Sequence, residues 1–192
     1  MGLTTDTRIR PPSGQDVAAV IAGDRDATDA FVGWMWPRAK QVAFLMAQDQ
    51  GLAEDVAQEA VLKALKALPS FDRTRPVKPW AERIAVNATL DRLRKRHLWA
   101  EVSQEDHAGL DEEQLEAQAT ELVRQAVSDD VMEALRTLSE VQRSAVVLRY
   151  LLDCTPSEIA EISDIPASTV RSHVRRGLIE LRQILKHPGG EQ

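Results

Sequence analysis

The chain has 192 residues, 43% of them hydrophobic, with 24 Lys/Arg against 30 Asp/Glu and a formal net charge of −6. That length allows one large domain or two small ones with ordinary globular cores. No apolar run approaches the ~20 residues of a membrane helix, and no apolar stretch follows Arg8 and Arg10 as in a signal peptide, so the chain is expected to be cytoplasmic.

Residues 1–14 read as a flexible tail, and a first compact unit is expected over residues 15–98. Trp34, Met35 and Trp36 belong either to its core or to a partner-facing patch. Val56, Ala60, Val61, Ala64, Leu65 and Leu68 recur at helical spacing, and Pro69 closes that helix. Asp55, Gln58 and Glu59 stand at i, i+3 and i+4 on its polar side, a pattern shared by solvated helix surfaces and by charge-complementary docking faces. A loop through Arg73 and Arg75 leads to a second helix, Pro79 to Leu98. Trp80, Ile84 and Ala88 are expected as its buried line, and Arg83, Asn87, Leu90 and Arg94 as its outward stripe. From Arg73 to Leu98 there are 8 basic and 2 acidic residues, the footprint of a nucleic-acid surface despite the acidic total.

From Trp99 to Asp130 there are 10 acidic residues and 1 basic one, and residues 99–127 read as a linker, its second half helical. With ~12 residues extended at ~3.3 Å and ~17 helical at ~1.5 Å, it spans roughly 65 Å, nearly two turns of B-DNA. The second unit, residues 128–187, is punctuated by two capping boxes: Ser139 with Gln142, and Thr155 with Glu158 around Pro156. A short helix through Ile159 and Ile162 stops at Ser163-Asp164. A longer basic helix follows, with Val170, Val174, Leu178, Leu181 and Leu185 as its apolar line. Short helix, tight turn and basic helix form a helix-turn-helix. Ser168, Thr169, Arg171, Ser172, His173, Arg175 and Arg176 crowd the N-terminal half of the last helix, the part that enters a major groove. Residues 188–192 form a tail. Strand-like alternation is scarce, so the fold class is all-α with two small helical domains.

Glu54-Asp-Val-Ala-Gln-Glu59, then Trp80-Ala-Glu-Arg-Ile-Ala85 with Asn87 and Asp91-Arg-Leu-Arg-Lys-Arg96, then Glu158-Ile-Ala160 and Thr169-Val-Arg-Ser172 resemble sigma-70-family factors of the extracytoplasmic-function group. The resemblance covers about residues 15–186 and implies a sigma2-like and a sigma4-like domain. It implies that Asp55, Gln58 and Glu59 dock on the β′ clamp helices of core RNA polymerase. It further implies that Arg73, Arg75, Arg83, Asn87 and Arg94 bind the −10 element with one base unpaired, and that the last helix reads the −35 element. The β flap and an anti-sigma factor are further partners it suggests, and the linker would thread the polymerase cleft. Asp164 stands where the family usually has Gly in the turn; Asp tolerates a left-handed backbone better than most residues.

No nucleophile and base pair up, no Gly-rich phosphate loop occurs, and His97, His107, His173 and His187 are scattered, so neither catalysis, a metal nor a cofactor is expected. The single Cys154 permits no internal disulfide or Cys-rich zinc site and is expected to be an idle thiol. The rival function is a stand-alone helix-turn-helix regulator that needs no polymerase.

Overall fold

A computed structural model describes residues 10–94 and 129–186, and among these every regular element is helical. The acidic linker therefore lies outside the described residues. The chain divides into two compact units, Met1–Leu93 and Arg94–Gln192.

The first unit contains α1 (Gly14–Ile21), α2 (Arg25–Ala47), α3 (Gln50–Ala67), a 3-10 turn (Leu68–Ser70) and α4 (Val77–Arg94). Each of the first three helices starts on a side-chain cap. Ser13 and Asp16 form a capping box, Asp24 accepts from Ala27 N at 2.9 Å, and Asp49 accepts from Leu52 N at 3.0 Å. Gln48, left-handed at φ 53, reverses the chain between α2 and α3. The 2.7 Å Lys40–Glu54 pair then joins residues about equally far from that reversal, as in an antiparallel helix pair. The seam along α3 is rich in alanine: Ala53, Ala57, Ala60 and Ala64 are fully buried, with Val56 and Val61 beside them. Small side chains let the two helix axes approach closely. Pro37 lies inside α2, where it lacks the N–H that would bond the Gly33 carbonyl. Trp34 and Met35 are core residues, whereas Trp36 is exposed.

Helix α4 corrects two expectations. It starts at Val77, not Pro79, and its buried line is Val77, Ala81, Ala85 and Ala88, with Leu90 and Leu93 also in the core. Leu90 is thus no part of the outward stripe. Trp80 and Ile84 are only half-buried, because Trp80 turns toward the preceding loop and packs on Phe71 with ring centroids 4.7 Å apart. The buried Thr89 hydroxyl is satisfied by donating to Ala85 O at 2.7 Å.

The second unit contains α5 (Asp129–Thr137), α6 (Glu140–Val146), a π turn (Val147–Leu151), α7 (Pro156–Ser163) and α8 (Ala167–Lys186). Both expected capping boxes are present: Ser139 with Gln142 opens α6, and Thr155 with Glu158 opens α7. Asp164 adopts φ 58, ψ 41, so the left-handed turn between α7 and α8 is made without glycine. Leu135, Leu148, Ile159, Val170 and Leu181 form the core under these helices. A Cβ on Gly177 would come within 2.8 Å of Val146 Cγ2, so the bare glycine backbone sets how closely α8 lies on α6. Arg143 is buried, and its guanidinium donates to Leu135 O at 3.3 Å and to Arg136 O and Leu138 O at 3.5 Å. This fan of contacts covers the carbonyl end of α5, where a cation is favoured by the helix dipole. Cys154 is half-buried, with its Sγ 3.6 Å from Leu152 O.

Candidate nucleic-acid and partner interface

On α3, Asp55 and Gln58 are exposed and Glu59 is half-buried. Glu59 accepts from Lys63 Nζ at 2.9 Å and from Arg92 Nε of α4 at 3.1 Å, and Lys63 also reaches Asp91 at 3.4 Å. The Lys63 and Arg92 hydrogen bonds, Lys63 foremost, lower the Glu59 pKa against the opposing effect of its partial burial. Glu59 is therefore committed within the chain, whereas Asp55 is outside every described ion pair. These residues line a groove of about 440 Å³ with Leu62, Lys66 and Arg92. Leu62, Lys66 and Arg92 were not singled out in the sequence. Leu62 was detectable there as the apolar residue two turns after Asp55, but Arg92 reaches the groove only through the packing of α4 on α3.

The loop before α4 has a defined shape. Asp72 Oδ1 accepts from Thr74 N at 3.0 Å and from Thr74 Oγ1 at 2.7 Å, and Arg75 N donates to Asp72 O at 3.0 Å. Those Thr74 contacts also lower the Asp72 pKa. The Arg73 carbonyl lies 2.7 Å from where a Cβ on Gly14 would stand, so the start of α1 holds the loop from behind. Arg73 and Arg75 thereby sit exposed on a loop held at both ends. Arg83 and Asn87, one turn apart on α4, are also exposed; Arg94 is half-buried.

On α8, Ser168, Arg171 and Ser172 are exposed and Thr169, Arg175 and Arg176 are half-buried. At about 100° per residue, Ser168, Arg171, Ser172 and Arg175 share one side, opposite Val170 and Gly177. The Ser172 hydroxyl donates to Ser168 O at 3.1 Å, and Arg175 Nε is buried without a hydrogen-bond partner. His173 is a correction. It was expected in the groove, but only 4% of it is accessible, because its place three residues after Val170 and four before Gly177 puts it on the core side.

Burial, and then the nearby Arg176 charge, lower the His173 pKa below its ordinary 6.5. Above pH ~6.5 the imidazole is neutral in folded and unfolded chains alike and adds no pH dependence. As pH falls from there toward the lowered folded value, the unfolded state takes up more protons and the second unit loses stability. Thermal melts from pH 7.5 to 5 are expected to show this loss, and His173→Gln to flatten it. An unchanged pH profile in His173→Gln would remove His173 as the source.

Among the described residues no three His, Cys, Asp or Glu side chains group as metal ligands, and no helix is long and apolar enough to cross a membrane.

Family models match two stretches of the chain: sigma-70 region 2 over residues 29–98 and sigma-70 region 4 over residues 128–181. The extracytoplasmic-function RNA polymerase sigma factor SigW of Bacillus subtilis is 32% identical over 178 residues, covering 88% of this chain and 95% of SigW. SigM of Mycobacterium tuberculosis, another such factor, is 31% identical over 169 residues, covering 88% and 82%. Among solved structures, CnrH in complex with the cytosolic domain of CnrY matches with a TM-score of 0.53 at 21% identity, covering 92% of this chain and 99% of that one. RpoE in complex with the anti-sigma factor NepR, from Bartonella quintana, matches at 0.52 and 22%, covering 81% and 94%. At those identities the two structures support the fold.

Proposed function

The chain belongs to the extracytoplasmic-function group of the sigma-70 family, and on that premise we propose how its two units divide the work of promoter recognition. It is a sigma factor that directs RNA polymerase to promoters. One observation carries this: region 2 and region 4 lie in order on one chain, and a sigma factor matches it over 95% of that factor's length. A stand-alone regulator would use a helix-turn-helix but has no need of region 2, so that alternative is not favoured.

The chain acts as a dissociable, non-catalytic subunit in the cytoplasm. Asp55, Gln58 and Glu59 dock on the β′ clamp helices, and the second unit meets the β flap. Arg73, Arg75, Arg83, Asn87 and Arg94 serve the −10 element. The held loop and the exposed Asn87 amide favour this reading, since an unpaired base offers edges to hydrogen-bond and a face to stack on. Capture of the open strand shifts the melting equilibrium without covalent chemistry. The outward side of α8, with Ser168, Arg171, Ser172 and Arg175, reads the −35 element, while Thr169 and Arg176 flank it. An anti-sigma factor is a proposed partner, as the complex of RpoE with NepR shows for that relative's fold.

Run-off transcription with purified core polymerase on genomic fragments tests the function. Specific transcripts are expected only when this chain is added, and tight duplex binding without core would favour the stand-alone regulator. Asn87→Ala is expected to reduce permanganate reactivity more on an ordinary promoter than on a pre-melted one. Equal defects on both templates would argue against a selective part in melting.

A further inference from the structure

The loop that carries Arg73 and Arg75 is shaped from within by Asp72, whose Oδ1 holds Thr74 at both N and Oγ1. Its ends are pinned by Phe71, packed on Trp80, and by the buried Val77. None of those contacts sets how far the loop stands out from the unit. That depth is set from behind, by α1. A Cβ on Gly14 would lie 2.7 Å from the Arg73 carbonyl oxygen and 3.5 Å from the Arg73 Cβ. The Gly14 backbone has no positive φ, so this close approach, not its conformation, is what calls for glycine there. Ordinary contact begins at about 3.4 Å, so a methyl group would drive helix and loop apart by about 0.7 Å. The helix is badly placed to yield. Ser13 N and Oγ both donate to Asp16 Oδ2, at 2.6 and 2.7 Å, Asp16 N donates to Ser13 Oγ at 3.3 Å, and Val17, three residues after Gly14, is fully buried. Asp72 to Pro76 are all exposed, with only solvent to resist them, so the loop is the part that moves.

We propose that Gly14 is a positioning residue for promoter opening: α1 is the back wall of the Arg73–Arg75 loop, and the missing side chain at position 14 seats the loop at the depth an unpaired −10 base requires. The inference rests on the reading of Arg73 and Arg75 at the −10 element and adds what holds them in register. A binding constellation has to be kept within about 0.5 Å of its productive geometry. Coulomb attraction to a phosphate hardly changes over such a displacement, whereas a hydrogen bond to a base edge is lost. Displacing the loop therefore costs base preference and opening, not general affinity for DNA.

The test combines full-length chain and core polymerase on a promoter with a randomised −10 element, permanganate footprinting on ordinary and pre-melted templates, core-binding titration and thermal melting. Gly14→Ala is expected to reduce opening on the ordinary template by about tenfold and to flatten base preference within the −10 element, with core affinity and −35 preference unchanged. Asp16→Ala, which frees the start of α1 without adding an atom, is expected to flatten the same preference to a smaller degree. Gly33→Ala, whose methyl enters open space on α2, should leave every readout at wild type. Wild-type −10 preference in Gly14→Ala, or in Asp16→Ala where Gly14→Ala does not fold, overturns the proposal; if Arg73→Ala and Arg75→Ala still flatten the preference, the −10 reading of the loop stands. Wild-type preference in Arg73→Ala and Arg75→Ala defeats both. Parallel losses of −10 preference, −35 preference and core affinity in Gly14→Ala would make the glycine a folding requirement only and also overturn it.

Discussion

Asp55→Lys is expected to reduce affinity for core polymerase by roughly ten- to hundredfold, because it places like charge against a surface chosen for its opposite. Asp55 tests docking more cleanly than Glu59. It is exposed and stands outside every described ion pair, so its replacement disturbs nothing within the chain. Glu59 is bound to Lys63 and Arg92, and reversing it would set three cations together and strain the contact between α3 and α4. Each of those half-exposed pairs contributes only about 0–1 kcal/mol, yet their loss would confuse a binding defect with a folding one. The measurement is equilibrium binding of labelled chain to core at two salt concentrations, with circular dichroism melts as the folding control. A folded Asp55→Lys variant with wild-type affinity would remove the docking assignment from this face.

Arg171→Ala should cost about 1–3 kcal/mol at one position of the −35 element and relax the base preference there. The side chain is exposed on the outward side of α8, near its N-terminal end, the part of a recognition helix that lies in the groove in such motifs. Arg175 follows one turn later, with its Nε withdrawn from water and unpartnered, so a base-edge or phosphate acceptor arriving there would satisfy a donor the free chain leaves unmet. Arg176 flanks that side and its charge is felt by His173; its loss should weaken binding to all sequences alike and reduce the salt slope by about one unit. Transcription by each variant over a library randomised across the −35 element, with salt titrations of binding, separates the patterns. Unchanged base preferences in both Arg171→Ala and Arg175→Ala would leave phosphate and shape contacts to account for this half of recognition.

Local chemistry was legible in the residues alone. Ser139 with Gln142 and Thr155 with Glu158 form their capping boxes because the partners are three residues apart, and Asp164 turns the chain because its own side chain tolerates a left-handed backbone. The all-α class, the helix-turn-helix and the apolar line of α8 followed from the same short-range rules. What a residue three or four positions away does not settle was left to the tertiary structure. Leu90 stands between polar Thr89 and Asp91 in the chain, but the packing of other helices over it made it a core residue; the burial of His173, by contrast, follows from its spacing to Val170 and Gly177. Trp80 left the core line because a loop aromatic, Phe71, offered it a partner. Glu59 and Arg92 are 33 residues apart, and only the laying of α4 against α3 brought them into one ion pair and made a groove between Asp55 and Lys66. Periodicity determines which side of a helix is apolar; which polar residues are covered, paired or left open depends on neighbours that arrive from elsewhere in the chain.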